Sequence, residues 1–317
     1  MEKSLLIVVP CYNEEEILHA SHEKLSVYLQ NLKTKGLVAE SSKLCLVDDG
    51  SKDKTWEIIA DLTSKNPSTA GIKLSKNFGH QSACLAGLLE NTEDFDAFIT
   101  IDADLQDDIN VIEKMVKSFL DGSHVVYGVR DDRSSDSFFK RMTAESFYKV
   151  MQKMGVPVVF NHADFRLMSK EVIRELASYK EVNLFIRGII PTIGFKSDKV
   201  FYARKIREAG ESKYPLSKML AFAWNGITSF STTPMRLVLW FGIFNFLLAL
   251  GITAYVLYSK LVGITVQGWT STLLPMAYFS GSNMIALGLI GEYLGKVYQE
   301  IKARPRYIVE QSQNLNG

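Results

Sequence analysis

Two aspartates, Asp102 and Asp104, stand two residues apart directly after the apolar run AFITI at 97–101. Two carboxylates at the end of a strand can hold a hard divalent cation and leave coordination positions for phosphate oxygens. A cation held in this way neutralises the negative charge that builds up on a departing diphosphate. We therefore predict that both aspartates bind Mg²⁺ or Mn²⁺. A D-x-D triplet is common, so the prediction rests mainly on the position of this triplet directly after a strand.

Short apolar runs alternate with helical segments over the first 130 residues, which predicts a doubly wound, mainly parallel α/β domain. Ligands of such sheets bind beyond the carboxyl ends of the strands. Asp48 and Asp49 end the second run, and Asp102 and Asp104 follow the fourth, so four carboxylates are predicted at one edge of the sheet. The apolar runs are LLIVV at 5–9, LCLV at 44–47, GIKL at 71–74, AFITI at 97–101 and HVVYG at 124–128, and the helical segments lie near 15–34, 54–64, 80–91 and 109–120.

The charge of the chain is balanced, with 36 basic and 35 acidic residues and a formal net charge of +1. No global field would attract a polyanion, so we predict no nucleic-acid partner. The three cysteines, Cys11, Cys45 and Cys84, include no C-x-x-C pair. They are predicted to be reduced thiols in a cytosolic environment.

A long uncharged segment, Leu237–Tyr258, contains 22 residues. As a helix it would span about 33 Å, which is enough to cross the core of a bilayer. A second uncharged stretch follows, and we predict a two-span hairpin at about 237–258 and 270–293 rather than two buried helices of a soluble core. The predicted organisation is a cytosolic domain with juxtamembrane helices at 1–230, the hairpin region at 231–295 and a basic cytosolic tail at 296–317.

Basic residues flank the hairpin unevenly, which predicts its orientation. The loop between the spans carries only Lys260, whereas the outer flanks carry Arg236, Lys296, Lys302, Arg304 and Arg306. Basic flanks stay on the cytoplasmic side. We therefore predict a multi-pass protein of the cell membrane with its large domain and both termini in the cytoplasm.

Six motifs lie along the chain: VVPCYNE at 8–14, VDDGSKDKT at 47–55, NFGHQSA at 77–83, IDADLQD at 101–107, YGVR at 127–130 and DFRLMS at 164–169. They resemble the motifs of the inverting family 2 glycosyltransferases with a GT-A fold. With the hairpin and the segment GEYLGKVYQEIKARPRYIV at 291–309, the resemblance covers almost the whole chain. It is greatest to the bacterial polyprenyl-phosphate (bactoprenol) glucosyltransferases, which are relatives of dolichyl-phosphate mannose synthase. Asp108 is a departure, because the family often has proline there.

The resemblance implies a pocket for a nucleotide sugar, with Asp48 or Asp49 on the base or ribose. For these two aspartates, the alternative is a turn-capping role before Gly50. His80 is interpreted as a residue that starts a helix rather than as a catalyst. The residues implied to bind the nucleotide sugar are Pro10, Asn13, Glu14, Asp48, Asp49, Asp102, Ala103, Asp104 and Lys213.

The implied acceptor is a lipid phosphate, whose second pKa lies near 6, so at neutral pH it is largely dianionic and scarcely needs a base. Asp164, the base candidate of the family, could orient a basic partner such as Arg166, remove a residual proton, or form a structural pair with an arginine. A dianion also requires cations to offset its repulsion from the acidic site. We predict that the acceptor phosphate is bound by Arg130, Arg141, Arg166 and Arg187. The predicted catalytic residues are Asp104, Asp164, Arg204 and Arg207. For the arginines, the alternative is that they are solvated surface charges.

The implied function is inverting transfer of a hexose, glucose first, from a UDP-sugar to undecaprenyl phosphate, which would supply a lipid-linked donor for modification of cell-envelope glycans. Two alternatives stay open, namely UDP-GlcNAc or another nucleotide sugar as the donor, and a non-catalytic membrane scaffold. A processive polysaccharide synthase is disfavoured because the chain has no Q-x-x-R-W motif. Small residues in the second span predict a homo-oligomer, for which we consider a tetramer, and a flippase and a downstream glycosyltransferase are candidate partners.

Overall fold

The computed structural model describes residues 2–130, 162–181, 186–202, 228, 232–263 and 269–315. The chain divides into two units, of which the first contains a sheet with helices and the second contains two long helices. The strands are β1 (Leu5–Cys11), β2 (Lys43–Asp48), β3 (Thr69–Leu74), β4 (Ala97–Thr100), β5 (Val125–Arg130), β6 (His162–Ser169), β7 (Ser197–Tyr202) and β8 (Val309–Gln313). The helices are α1 (Leu18–Thr34), α2 (Thr55–Lys65), α3 (His80–Leu89), α4 (Val111–Leu120), α5 (Lys170–Ser178), α6 (Ile186–Ile193), α7 (Thr233–Leu261) and α8 (Trp269–Ile301).

The described strands form one eight-stranded sheet in the order β7-β5-β6-β4-β1-β2-β3-β8. Strands β6 and β8 run antiparallel to their neighbours, and the other pairings are parallel. The sheet is therefore mixed and mainly parallel. The predicted α/β class is confirmed, and all five predicted strands and all four predicted helices are present with small shifts of their ends.

Strand β1 is buried on both of its faces, which explains its continuous apolar sequence LLIVVPC. On one face, Ile7 and Val9 belong to a core that includes Leu25 of α1 and Met115 of α4. On the other face α3 lies so close that a Cβ at Gly87 would come within 2.3 Å of Val8 Cγ1. Helices thus cover both faces of the sheet, as the doubly wound prediction requires.

Strand direction brings the candidate chemistry to one edge of the sheet. Asp48 is the last residue of β2, and Asp102 follows β4 after one intervening residue. Because β6 is antiparallel, its third residue, Asp164, lies near the same edge. Arg130 and Tyr202 end β5 and β7 and face each other in register.

The C-terminal segment joins the sheet of the first unit, although sequence reasoning treated 296–317 as a tail. Strand β8 pairs antiparallel with β3. Lys73 of β3 forms an ion pair with Glu310 of β8 at 3.2 Å, and Lys43 donates a hydrogen bond to the Asn314 carbonyl at 3.0 Å. The chain therefore leaves this sheet after β7 and returns to it at β8.

The second unit contains α7 and α8, which correspond in position to the two predicted spans. Within the described residues, one helical segment, Thr233–Ile252, is long and apolar enough to cross a membrane, and 6% of it is buried. The second predicted span, 270–293, lies inside α8, a helix of 33 residues that contains Pro275.

Candidate active site

The loops after β1 and β2 are tied together by hydrogen bonds. The Asn13 amide donates to Ser51 Oγ, the Lys52 amide donates to Asn13 Oδ1, and the Glu14 amide donates to Thr55 Oγ1, each at 2.9 Å. Asn13 has a φ of 54°, a left-handed conformation that asparagine tolerates better than most residues. The two loops thus form one rim beside the carboxyl ends of the strands, and Asn13 shapes it.

The two adjacent aspartates at the end of β2, Asp48 and Asp49, have different surroundings. Asp49 accepts hydrogen bonds from the amides of Phe78 and Gly79 at 2.7 and 2.9 Å, so both of its oxygens fix the segment before α3. The turn that follows Asp49 needs glycine at position 50. Gly50 has a φ of 64°, and an added Cβ would lie 2.3 Å from the Lys76 carbonyl carbon. Asp49 therefore fixes the loop before α3, whereas the predicted alternative was that it caps its own turn before Gly50.

Asp48 is fully buried, and its Oδ1 accepts a hydrogen bond from the Ser51 amide at 3.1 Å. Its Oδ2 is buried and has no hydrogen-bond partner among the described residues. Burial raises the pKa of this carboxyl. A buried acceptor without a donor is costly, so Asp48 is an unusual carboxyl for the end of a core strand.

The turn after β4 holds the paired aspartates. Leu105 adopts a φ of 47°, which is uncommon for a leucine and marks local strain. The turn lets Gln106 donate to Asp104 twice, from its amide to Oδ1 at 3.3 Å and from Nε2 to Oδ2 at 2.6 Å. The carbonyl of buried Ala103 accepts a hydrogen bond from Ser21 at 2.6 Å. Gln106 thus orients Asp104.

The Asp102 carboxyl is about half exposed to solvent and borders other acidic groups. Desolvation by the surrounding protein raises the pKa of Asp102; His80 opposes this effect, and the carboxylates of Asp164, Asp107 and Asp104 add to it. Clustered carboxylates of this kind are stabilised by a cation.

The donor set suits a hard cation, because Asp102 and Asp104 offer carboxylate oxygens. Over the described parts of the chain, no group of three or more His, Cys, Asp or Glu side chains forms a metal cage. The two carboxylates fit a hard cation and leave coordination positions for oxygens of a bound ligand.

Asp164 is clamped by two arginines. Arg187 donates from Nε to Oδ1 at 2.8 Å and from Nη2 to Oδ2 at 2.5 Å, and Arg166 donates from Nη2 to Oδ1 at 2.6 Å. Burial opposes ionisation of Asp164, but the guanidinium groups of Arg187 and Arg166 hold the pKa of this carboxyl well below its usual range. Asp164 is thus a firmly ionised anchor for guanidinium groups and a poor proton acceptor.

The two arginines differ in access to solvent. The Arg166 side chain is 2% exposed, whereas that of Arg187 is 30% exposed. Arg166 was predicted to contact the acceptor phosphate, but its burial favours a role beneath Asp164. Arg187 retains the exposure that a phosphate contact needs.

His80, which sequence analysis interpreted as a helix-start residue, does start α3, but it also lies between the two acidic groups. Its Nε2 is 3.6 Å from Asp102 Oδ1 and 3.8 Å from Asp164 Oδ2. Cys84, 3.6 Å away, together with these carboxylates raises the pKa of His80 above its ordinary value. The imidazole therefore joins the acidic pair after β4 to the arginine-clamped carboxylate of β6.

Arg130 pairs with Asp107 rather than standing alone. Its Nη2 donates to Asp107 Oδ1 at 3.1 Å, and the Tyr202 hydroxyl donates to the same oxygen at 2.6 Å. The Arg130 side chain is 31% exposed and that of Asp107 is 4% exposed.

The structure brings most of the predicted residues to one edge of the sheet, with Pro10 inside β1 beside Val47. Four predicted residues, Arg141, Arg204, Arg207 and Lys213, lie outside the described residues. Sequence reasoning missed the positions of His80, Gln106, Asp107 and Tyr202. The first three lie inside quoted motifs, which was the available signal, whereas nothing in the sequence marked Tyr202.

A doubly wound α/β sheet with carboxylates and guanidinium groups at the carboxyl ends of its strands has the arrangement in which such sheets bind charged ligands. Comparison with known families identifies the type: residues 6–177 match the model of Glycosyl transferase family 2. The chain belongs to this family and is a glycosyltransferase.

Relatives extend the similarity over nearly the full chain. The chain is 48% identical over 308 residues to YkoT, an uncharacterized glycosyltransferase of Bacillus subtilis, covering 96% of this chain and 91% of that one. It is 38% identical over 312 residues to the SfII prophage-derived bactoprenol glucosyl transferase of Shigella flexneri, covering 98% of each. Among solved structures, the mannosyltransferase PcManGT from Pyrobaculum calidifontis, in complex with GDP-Man and Mn²⁺, is similar with a TM-score of 0.46 and 14% identity over 90% of this chain and 88% of that one.

Proposed function

We propose that this glycosyltransferase moves glucose from UDP-glucose to undecaprenyl phosphate, with inversion at the sugar. The observation that carries the proposal is the position of His80, within 3.6 Å of Asp102 and 3.8 Å of Asp164. It joins an acidic pair suited to a metal diphosphate and an arginine clamp suited to a phosphate. The name of the Shigella relative, a bactoprenol glucosyl transferase, supports the same donor sugar and lipid.

On the donor side, Asp102 and Asp104 would hold Mg²⁺ or Mn²⁺ together with the diphosphate. When bound, the cation would neutralise charge on the departing UDP. Asp48, which is fully buried, would support the base site through its bond to the Ser51 amide. The rim shaped by Asn13, with Pro10 and Glu14, would enclose the nucleoside.

On the acceptor side, Arg187 would bind the lipid phosphate while its other contacts hold it against Asp164. A guanidinium has five N–H donors, so one carboxylate and one phosphate can share it. The phosphate oxygen then attacks the anomeric carbon as the bond from that carbon to the diphosphate breaks. A dianionic phosphate supplies its own nucleophilic oxygen, so Asp164 serves by placing Arg187.

We propose that both α7 and α8 cross the membrane. The chain leaves the catalytic sheet at Tyr202 and rejoins it at β8. A segment whose two ends belong to one folded sheet must cross a bilayer an even number of times or not at all. The apolar Thr233–Ile252 segment supports one crossing, and α8 would supply the return. The cytoplasmic side, the homo-oligomer and the protein partners stay predictions.

The experiment is a transfer assay in which detergent-solubilised protein, undecaprenyl phosphate and Mg²⁺ or Mn²⁺ are incubated with labelled UDP-glucose. We expect label in the lipid phase, and we expect Asp104→Ala to abolish it. Asp108→Ala is a matched control, since Asp108 is a half-buried neighbour whose carboxylate accepts a hydrogen bond from Asn110, just before α4. Normal turnover by Asp104→Ala would overturn the metal assignment, and absence of transfer from every nucleotide sugar would overturn the function.

A further inference from the structure

Asp107 accepts two hydrogen bonds on one oxygen, and its donors come from two different strands. The Tyr202 hydroxyl of β7 lies 2.6 Å from Asp107 Oδ1, and Arg130 Nη2 of β5 lies 3.1 Å from it. Arg130 and Tyr202 are partners in the parallel register of these strands. The three side chains therefore form one connected cluster at the edge of the sheet that holds the site.

We propose that Asp107 and Tyr202 are positioning residues for Arg130, which they hold in a single orientation to bind the phosphate of the acceptor. This inference rests on the proposed function, since it requires an acceptor that carries a phosphate. Neither Asp107 nor Tyr202 would touch the substrate. Both would act through the arginine.

The burial of the cluster separates the supporting residues from the binding one. Asp107 and Tyr202 are 3% and 5% exposed, so solvent and substrate do not reach them freely. The Arg130 side chain is 31% exposed. Asp107 is close in sequence to Asp102 and Asp104, but its Oδ1 accepts hydrogen bonds from Arg130 and Tyr202. Asp107 therefore holds the arginine rather than a metal ion.

Arg130 keeps donors for a ligand after Asp107 is satisfied. A guanidinium has five N–H donors, and Asp107 is bonded to Nη2. The Nε of Arg130 is buried and has no acceptor among the described residues. A donor in that state is costly unless a ligand or a water completes it. The side chain as a whole is 31% exposed, so a phosphate oxygen would bind at the N–H groups of its solvent-facing edge.

Tyr202 is suited to hold the cluster rigid. Its ring packs edge-on against the ring of Phe165, with 5.7 Å between the ring centroids. Phe165 follows Asp164 in the chain. Burial and the adjacent Asp107 carboxylate raise the pKa of Tyr202 above its ordinary value, so the hydroxyl keeps its proton and remains a donor at neutral pH. Fixing a long arginine before binding removes part of the entropy cost of ordering it.

The test is steady-state kinetics of the full-length protein with each substrate varied in turn. For Tyr202→Phe, which keeps the ring, we expect the KM for undecaprenyl phosphate to rise about 3- to 10-fold, as loss of one hydrogen bond would give. The KM for UDP-glucose should change by less than about twofold, within the usual effect of a distant substitution. Tyr28→Phe is the matched control, because it removes a hydroxyl bonded to the Asn110 carbonyl at 3.2 Å on another part of the domain.

A double-mutant cycle separates positioning from a structural effect. Tyr202→Phe should add nothing in an Arg130→Ala background, whereas an equal further loss there would overturn the inference. Asp107→Asn should raise the acceptor KM more than Tyr202→Phe does, since it removes a charge, and an unchanged KM in both variants would also overturn it. If the wild-type protein transfers no sugar to the lipid phosphate, the proposed function fails and the inference falls with it.

Discussion

Arg187 donates two parallel hydrogen bonds to the Asp164 carboxylate, from Nε at 2.8 Å and from Nη2 at 2.5 Å. This bidentate pair leaves the guanidinium 30% exposed at the edge of the sheet. Arg166 supports the same carboxylate from the buried side. The carboxylate that the family resemblance offered as a base therefore has the geometry of an anchor that presents a cation.

Removal of the Arg187 side chain tests this role. We expect Arg187→Ala to lower kcat/KM for the lipid phosphate about 10²- to 10³-fold, the effect of deleting one preorganised charged donor. Arg187→Lys should recover only part of the loss, because an ammonium cannot make the bidentate contact. Initial rates at varied acceptor concentration give the comparison. Arg174→Ala, which removes an exposed pair with Glu93, is the control, and equal losses in both variants would contradict the assignment.

The pH dependence of transfer should follow the acceptor and not Asp164. The pKa of Asp164 lies below its usual range, so the group stays ionised near neutrality. Its contribution to stability is present above the unfolded-state pKa of about 3.9 and is lost only as the pH falls towards the folded-state value. The acceptor phosphate loses its second proton near pH 6. We expect kcat/KM for the acceptor to fall below about pH 6 for that reason.

A phosphonate analogue of the acceptor makes this prediction specific. Its second pKa is higher than that of the phosphate, so the acid limb of the pH profile should move to higher pH. If the acid limb of the kcat/KM profile lies at the same pH with both acceptors, a group of the protein controls it. Stability should be measured over the same pH range, since unfolding would produce a common limb.

His80 should matter for turnover more than for donor affinity. Its ring contacts Asp102 and Asp164 but not Asp48. We expect His80→Ala to lower kcat about 10²-fold with a small change in the KM for UDP-glucose, as expected for an electrostatic contact at the reacting groups. His80→Gln should restore part of the rate through its amide donor. His19→Ala, an exposed histidine of α1, is the control, and a purely KM effect of His80→Ala would contradict this role.

Strand β8 should be required for a stable catalytic unit. Removal of 308–317 would expose the edge of β3 and delete the Lys73–Glu310 and Lys43–Asn314 contacts. We expect the thermal midpoint to fall by roughly 4–10 °C, with increased aggregation, because backbone hydrogen bonds contribute about 1 kcal/mol each and open edges associate. Glu310→Gln should change the midpoint little, since exposed ion pairs contribute little. An unchanged midpoint after truncation would contradict the structural role of β8.

Sequence reasoning found the elements whose signals are local. Strands β1–β5 are apolar runs bounded by polar turns, and α1–α4 show helical spacing between them. It missed β6 and β7, which lie in mixed polar sequence, and β8, whose residues VEQSQ have no apolar pattern. Those strands are defined by pairing with distant residues, which one sequence does not display.

Some residues of the candidate site could be predicted from local sequence, and others are defined only by distant contacts. Asp48, Asp102 and Asp104 could be predicted because they lie at strand ends, where a doubly wound sheet binds ligands. The contact of His80 with Asp164 joins positions far apart in the chain, and so does that of Tyr202 with Asp107. Asp48 and Asp49 are adjacent in sequence, yet only the structure separates the loop-fixing residue from the one with an unpartnered oxygen.

Transfer of labelled glucose from UDP-glucose to undecaprenyl phosphate is the decisive measurement, with undecaprenol, which lacks the phosphate, as the paired acceptor. The wild-type protein should form a chloroform-soluble glucolipid with the phosphate and none with the alcohol, and Arg187→Ala should lose most of this activity. Equal transfer to both acceptors, or no lipid-linked product from any nucleotide sugar, would contradict the proposed reaction.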